Sequence, residues 1–223
     1  MSVLTEFADK KYLDFNKRLV KSTYPMLGVR IPEIRKVAKQ IIKQKQEESV
    51  LASSPVYYEE VILRGIILSY NPNVLESFAD FLPYIDNWQA CDTVILSFKK
   101  IKGIKKEFLQ RFEVLAKGSE WERRALVVAL LGYFLDDEYI DKALKIATQA
   151  DNDEYYVSMA VAWLLATAMI NYPKKVMQLL QSGAIKKETA HRTLRKAIES
   201  YRISHALKTS LRSMKIYDNT KQN

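Results

Sequence analysis

Cysteine and histidine, which commonly build disulfides and metal sites, are scarce in this chain. Its 223 residues include one cysteine, Cys91, and two histidines, His191 and His205. A single cysteine cannot form an intramolecular disulfide or a cysteine zinc cage, and two histidines do not predict a histidine-rich metal site. We therefore expect neither a metal nor a cofactor.

Long uncharged apolar runs are also missing. No stretch of about 18 such residues occurs, so the sequence predicts no membrane-spanning helix. Residues 1–10 carry Glu6 and Asp9 where a signal peptide has a cationic and then an apolar stretch. We expect a cytoplasmic protein with no membrane partner, associated with the nucleoid if it binds DNA.

Familiar catalytic motifs are absent as well. The chain has no Gly-rich phosphate loop, no HExxH, no GxSxG and no EF-hand pattern. Their absence argues against the common NTPase, zinc protease, serine hydrolase and calcium-binding classes.

Glycine and proline are few, with six of each, while apolar residues recur at spacings of three and four along the chain. Leu126, Ala129, Leu130 and Tyr133 are one example, and this period is typical of helices. The sequence therefore predicts an all-α protein. We expect helices near residues 3–20, 32–46, 56–68, 74–82, 87–98, 105–116, 120–134, 139–148, 154–169, 173–181, 187–202 and 204–213.

Residues that start and stop helices agree with these ranges. Ser119 and Glu122 have the spacing of a capping box. Pro32 and Pro173 fall where a first helical turn accepts proline, and Gly183 suits a helix end. The connections between the predicted helices are accordingly short.

Short connections make consecutive helices pack antiparallel, and helix pairs recur about every 35 residues, which is typical of stacked helical hairpins. We predict a single α-solenoid domain over residues 1–213, followed by a flexible basic tail at 214–223. A compact helical bundle is the alternative, because the repeats show little residue-by-residue similarity.

The positive charge lies at the C-terminal end of the chain. The chain has 35 Lys and Arg against 26 Asp and Glu, a formal charge of +9. Residues 174–223 hold twelve Lys or Arg and three Asp or Glu, while residues 1–173 hold 23 Lys or Arg and 23 Asp or Glu. Such a surface favours an anionic polymer, first of all nucleic acid. A solvated helix face is equally compatible with the charge, and a membrane-surface helix is a weaker option.

Trp88 and Asp92 are four residues apart on a predicted helix and so project from the same face. They could address one ligand, although a packed Trp and a paired Asp are the commoner arrangement. Trp163 lies in the most apolar helix and, on the sequence alone, is most simply a core residue.

Four segments in order resemble one family. Residues 24–39, YPMLGVRIPEIRKVAK, are similar to the Leu-Gly-(Val/Ile)-x-x-Pro-x-x-Arg motif of DNA alkylation repair proteins of the AlkD type, which are HEAT-like-repeat DNA glycosylases. The residues 87–92, NWQACD, resemble the family's Trp-x-x-x-Asp catalytic helix. The residues 121–125, WERRA, and 155–163, YYVSMAVAW, resemble its Trp-x-x-Arg-Ala helix and the helix of its second lesion-facing Trp. The resemblance covers residues 24–201.

The resemblance implies a right-handed α-solenoid of HEAT-like repeats that binds damaged double-stranded DNA as a monomer. It implies excision of cationic N3- and N7-alkylated purines without a metal. By the same resemblance, Asp92 would stabilise the developing sugar cation, flanked by Trp88 and Trp163, and Arg124 would hold a phosphate. Further DNA contacts are expected from Arg30, Arg35, Arg192 and Arg195.

The sequence also departs from the family pattern. Only one full helix is predicted before Leu27, where the family's glycosylases carry two. Met159 and Ala166 stand at positions where active relatives often have basic residues. Two rival functions therefore remain beside the glycosylase. One is a DNA-binding HEAT-like-repeat protein without base excision, and the other is a solenoid that binds an acidic protein partner.

Overall fold

The computed structural model describes residues 2–214 and residue 216. The predicted tail at 214–223 lies outside the described residues except for Met214 and Ile216. The described part contains no β-strand, so the all-α prediction is confirmed. Its α-helices are α1 (Lys10–Leu19), α2 (Ile31–Lys43), α3 (Glu47–Leu51), α4 (Tyr58–Tyr70), α5 (Val74–Phe81), α6 (Trp88–Ile95), α7 (Lys105–Phe112), α8 (Glu120–Tyr133), α9 (Ile140–Ala150), α10 (Tyr155–Ala168), α11 (Pro173–Gln181), α12 (Lys187–Glu199) and α13 (His205–Arg212).

The prediction of one helix over residues 3–20 is wrong. The chain forms a 3-10 turn at Thr5–Phe7 and then breaks before α1. The Asp9 side chain accepts a 3.1 Å hydrogen bond from the Tyr12 backbone N–H, and the Asp9 N–H donates to the Gly28 carbonyl at 3.0 Å. Asp9 therefore caps a new helix instead of continuing the preceding turn.

Most other predicted signals are confirmed. Ser119 and Glu122 form the capping box at the start of α8. Pro32 and Pro173 occupy the first turns of α2 and α11, and Gly183 follows α11 with a φ of 72°, the left-handed conformation that ends many helices.

The chain divides into two compact units, Met1–Ile104 and Lys105–Asn223. In the first unit α4 packs between α2 and α6, with α5 also against α4. Its core contains the fully buried rings of Tyr58, Phe78, Phe81 and Phe98. In this unit α2, α4 and α6 thus form a row of neighbouring helices.

The second unit repeats this pattern. Helix α10 packs between α8 and α12, and α9 lies against both α8 and α10. Apolar side chains cover most of α10, so that it is buried on nearly every side. The two rows are consistent with HEAT-like repeats, and a right-handed solenoid over both units remains a prediction.

Candidate functional site

Two polar residues fix the start of α6 in the first unit. Asp86 Oδ2 accepts hydrogen bonds from the hydroxyls of Ser22 at 2.8 Å and Thr23 at 2.7 Å. The next residue, Asn87, is 2% exposed and its side chain accepts from the Ala90 backbone N–H at 2.9 Å. The cap and the loop anchor together determine where the first residue of α6 lies.

That first residue is Trp88, which is half-buried. Its indole Nε1–H donates to the Leu19 carbonyl at the end of α1, at 3.3 Å. Asp92 follows one turn later on the same helix face and is also half-buried, while Cys91 and Ile95 are fully buried. The structure therefore places Trp88 and Asp92 together at the polar edge of an otherwise buried helix, as their spacing predicts.

Tyrosines from α4 and α1 hydrogen-bond to Gln89 of α6, the residue that follows Trp88. The Tyr58 hydroxyl donates to Gln89 Oε1 at 2.5 Å. Burial raises the pKa of Tyr58, so its hydroxyl stays protonated and can donate. Tyr12 of α1 also hydrogen-bonds to Gln89, and burial raises its pKa too. Sequence reasoning missed this contact between α1, α4 and α6.

Glu59 gives the Leu-Gly-Val segment a physical role. Its side chain is completely buried and accepts hydrogen bonds from the backbone N–H groups of Leu27 at 2.9 Å, Gly28 at 2.7 Å and Val29 at 3.2 Å. Consecutive N–H groups that converge on one carboxylate satisfy a charge that would otherwise be costly to bury. A carboxylate just before the apolar run of α4 was the available sequence signal.

Arg30 lies at the end of that segment. Its side chain is 56% exposed, pairs with Asp9 at 3.0 Å, and lies over the Tyr12 ring at 4.5 Å. The Tyr12 backbone N–H and the Arg30 guanidinium lower the pKa of the Asp9 carboxyl. Arg30 thus pairs with Asp9, while more than half of its side-chain surface remains exposed to solvent.

Arg35 is half-buried and extends from α2 to α6. Its guanidinium donates to the Ser97 hydroxyl at 3.0 Å and to the Thr93 carbonyl at 3.3 Å. The positive charge therefore sits at the C-terminal end of α6, where a helix has unpaired carbonyls.

In the second unit Trp163 belongs to the solvent-facing side of α10. It is half-buried and follows Tyr155 and Met159 at steps of four, so the expectation of a simple core residue is wrong. The ring borders an open pocket of about 250 Å³. The other lining residues are Ala166, Thr167, Lys196, Glu199, Ser200 and Arg202.

Arg124 is only 5% exposed. Its guanidinium donates to the Tyr156 carbonyl at 2.6 Å and so ties α8 to the start of α10. Trp121 packs on the Tyr156 ring at the same junction, with the ring centres 5.0 Å apart. The phosphate contact of Arg124 remains a prediction.

Arg192 and Arg195 differ in exposure along α12. Arg192 is half-buried, donates to the Ser158 hydroxyl at 2.7 Å, and lies over the Tyr155 ring at 5.0 Å. Arg195 and the nearby His191 are exposed. Of these arginines, Arg195 has the more open approach for an anion.

Asp151 is half-buried directly after α9 and links the end of that helix to the start of α12. It accepts from the Thr189 hydroxyl at 2.7 Å and from the Lys186 backbone N–H at 2.8 Å. The Thr189 hydroxyl is also 2.7 Å from that of Ser158. Burial raises the pKa of the Asp151 carboxyl despite these hydrogen bonds.

The described residues form neither a candidate metal site nor a candidate membrane-spanning helix. Within the described residues, no group of three or more His, Cys, Asp and Glu side chains is arranged to hold a metal ion. Over the same part of the chain, every helix is too short or too polar to cross a bilayer. Cys91 is completely buried.

Comparison with known protein families gives a match over most of the chain. A family model described as DNA alkylation repair enzyme matches residues 1–201. This range covers α1 to α12 and contains Trp88, Asp92 and Trp163. A search of curated proteins finds no match.

Proposed function

Because this chain belongs to the DNA alkylation repair enzyme family, we propose that it is a DNA glycosylase that removes cationic N3- and N7-alkylated purines. Family membership indicates DNA alkylation repair and implies DNA as the partner. The glycosylase activity, the lesions and the residue roles below are the proposal.

The proposed reaction is hydrolysis of the N-glycosidic bond. In an N7- or N3-alkylated purine the base already carries a positive charge, so the bonding electron pair leaves with the base as it departs neutral. Positive charge then develops on the deoxyribose, and a water molecule adds to C1′ and loses a proton to the carboxylate or to solvent. The enzyme therefore needs a fixed anion near the sugar more than a strong general acid.

Asp92 is the candidate for that anion. It lies at the polar edge of α6, and the Asn87 cap and the Asp86 anchor fix the start of that helix. A carboxylate held on a rigid element needs little reorganisation when charge develops in the transition state.

Trp88 supplies an aromatic surface on the same face. Its N–H is bound to the Leu19 carbonyl, which fixes the ring and leaves its π-face to attract a sugar or a cationic base. Such cation–π contacts contribute about 0.5–2 kcal/mol. In the other unit Trp163 offers a second half-exposed indole to bound DNA.

The arginines divide into two groups for phosphate binding. Arg30 and Arg195 are exposed and can reach phosphates directly. Arg35 and Arg192 are half-buried and already hold hydroxyl groups. We propose that they contribute positive potential to the DNA surface, together with Arg124.

The observation that carries the proposal is the partial exposure of both Trp88 and Asp92 on a helix whose opposite side is fully buried. An indole and a carboxylate that share one partly exposed helix face can both reach the same bound ligand. Their joint position favours contact with a ligand.

A second candidate is a DNA-binding protein without base excision. It is favoured by the apolar character of α10 around Trp163, where Met159 is half-buried and Ala166 is 6% exposed. Neither residue can contact a phosphate by charge.

The experiment is single-turnover release of 7-methylguanine and 3-methyladenine from alkylated duplex DNA. The glycosylase predicts release by the wild type and its loss in Asp92→Asn. A folded wild type that binds the duplex but releases no base would favour the second candidate.

A further inference from the structure

A basic pocket of about 500 Å³ lies within the first unit, beside the C-terminal ends of α4 and α6. Its lining has no Asp or Glu and includes four bases. Two come from α2 and two from the 3-10 turn Lys99–Gly103. The four bases are Arg35, Lys39, Lys99 and Lys100.

Two of these bases serve the fold. Lys100 Nζ donates to the Tyr70 carbonyl at the end of α4, at 2.6 Å. Arg35 donates to the Thr93 carbonyl of α6 and to the hydroxyl of Ser97, two residues beyond that helix. Cations at helix C-termini satisfy unpaired carbonyls and interact favourably with the helix dipole. The fold therefore explains Arg35 and Lys100.

The other two basic residues, Lys39 and Lys99, make no such contact with a helix end. Lys39 and Lys99 are exposed, and neither side chain forms a hydrogen bond or an ion pair with the described residues. Both still line the same pocket as Arg35 and Lys100. Like charges that share a pocket raise each other's energy, and a bound anion relieves this repulsion.

We propose that this pocket binds a backbone phosphate of the DNA. Lysine ammonium groups bind phosphate oxygens as point charges. Contacts of this kind fix the position of the protein on the duplex without reading its sequence. The inference deepens the proposed function, because it rests on DNA as the partner, and it gives Lys39 and Lys99 a role.

Two double variants that remove equal charge test the proposal. Lys39→Gln with Lys99→Gln empties the pocket of its unpaired cations. Lys43→Gln with Lys102→Gln is the matched control, because these exposed lysines lie on the same two elements but do not line the pocket. All four substitutions are at exposed positions, and thermal unfolding verifies that both variants fold.

The measurement is duplex affinity against salt concentration by fluorescence anisotropy. Each lost phosphate contact makes the slope of log K against log salt shallower by about 0.9. We expect the pocket variant to bind more weakly than the control, with a slope shallower by about that amount. Equal affinities and slopes for the two variants would overturn the proposal.

A second titration uses inorganic phosphate to identify the source of the anion. If the pocket variant loses phosphate binding but matches the control on DNA, the ligand is a small phosphate and the assignment to DNA is wrong. Binding is measured independently of base release. A wild type that releases no base would therefore leave the pocket result intact, and a failed pocket result would leave the glycosylase proposal intact.

Discussion

The backbone N–H of Gly28 donates a 2.7 Å hydrogen bond to the completely buried carboxylate of Glu59. Leu27 and Val29 donate to the same carboxylate. This contact joins the segment before α2 to the first turn of α4, and the Tyr58 hydroxyl next to it reaches Gln89 on α6. The position of the Trp88 helix thus depends on a buried ion held by backbone groups.

We expect Glu59→Gln to destabilise the protein by about 2–3 kcal/mol, because hydrogen bonds to a charged group are strong and the new NH₂ group would face a backbone donor. Chemical denaturation followed by circular dichroism measures the change. Glu48→Gln, at an exposed position of α3, is the control and should alter stability by less than about 0.5 kcal/mol. Equal effects of the two changes would show that the buried ion is dispensable.

Gly28→Ala should also destabilise the protein, by at least about 2 kcal/mol. Gly28 has a φ of 87°, and a Cβ there would lie 2.7 Å from both the Asp9 carbonyl oxygen and Leu13 Cβ. Gly103→Ala is the control because a Cβ at Gly103 meets no atom within 4 Å. A Gly28→Ala protein as stable as the control variant would refute the close packing of α1 on this segment.

We expect Asp151 to make a pH-dependent contribution to the free energy of unfolding. Its folded pKa is raised above the ordinary value of 3.8, chiefly by burial, so the folded state binds more protons than the unfolded state between the two pKa values. The contribution of Asp151 is therefore largest below pH 3.8 and is lost as the pH rises through the folded pKa. The free energy of unfolding of the wild type minus that of Asp151→Asn should fall over this interval. A difference that increased with pH would contradict the account.

Trp163→Ala should slow single-turnover base release by roughly 2- to 30-fold, which corresponds to the loss of about 0.5–2 kcal/mol of cation–π attraction. Trp163→Phe keeps an aromatic face and should retain most of the rate. The ring is half-buried beside an open pocket, so thermal unfolding should show a small change only. If the rates of base release in the two variants followed their thermal stability, and not the presence of an aromatic ring, Trp163 would have a structural role only.

Local patterns predicted most of the helices because their signals lie within a few residues. The capping box of Ser119 and Glu122 and the first-turn positions of Pro32 and Pro173 are confirmed. The helix over 3–20 failed because Asp9 caps α1. The five-residue helix α3 was missed, since a helix this short carries no periodic signal.

The candidate site shows the same division between local and distant information. The spacing of Trp88 and Asp92 within one helix fixed their common face. The partners of Glu59 lie about 30 residues earlier in the chain, and the basic pocket combines side chains from α2 with a turn near residue 100. Contacts between residues this far apart in the chain depend on tertiary packing, which the periodicity of a single segment does not predict.

The measurement that tests the central claim most directly is single-turnover release of 7-methylguanine by the wild type, Asp92→Asn and Asp80→Asn. Asp80 is exposed on α5 and controls for the loss of one negative charge in the same unit. Loss of a preorganised charge at the reacting centre typically costs about 100- to 1,000-fold in rate. The account predicts a loss of this size in Asp92→Asn alone, with duplex affinity and folding close to wild type. Release by Asp92→Asn at the wild-type rate would contradict the assignment of the chemistry to Asp92.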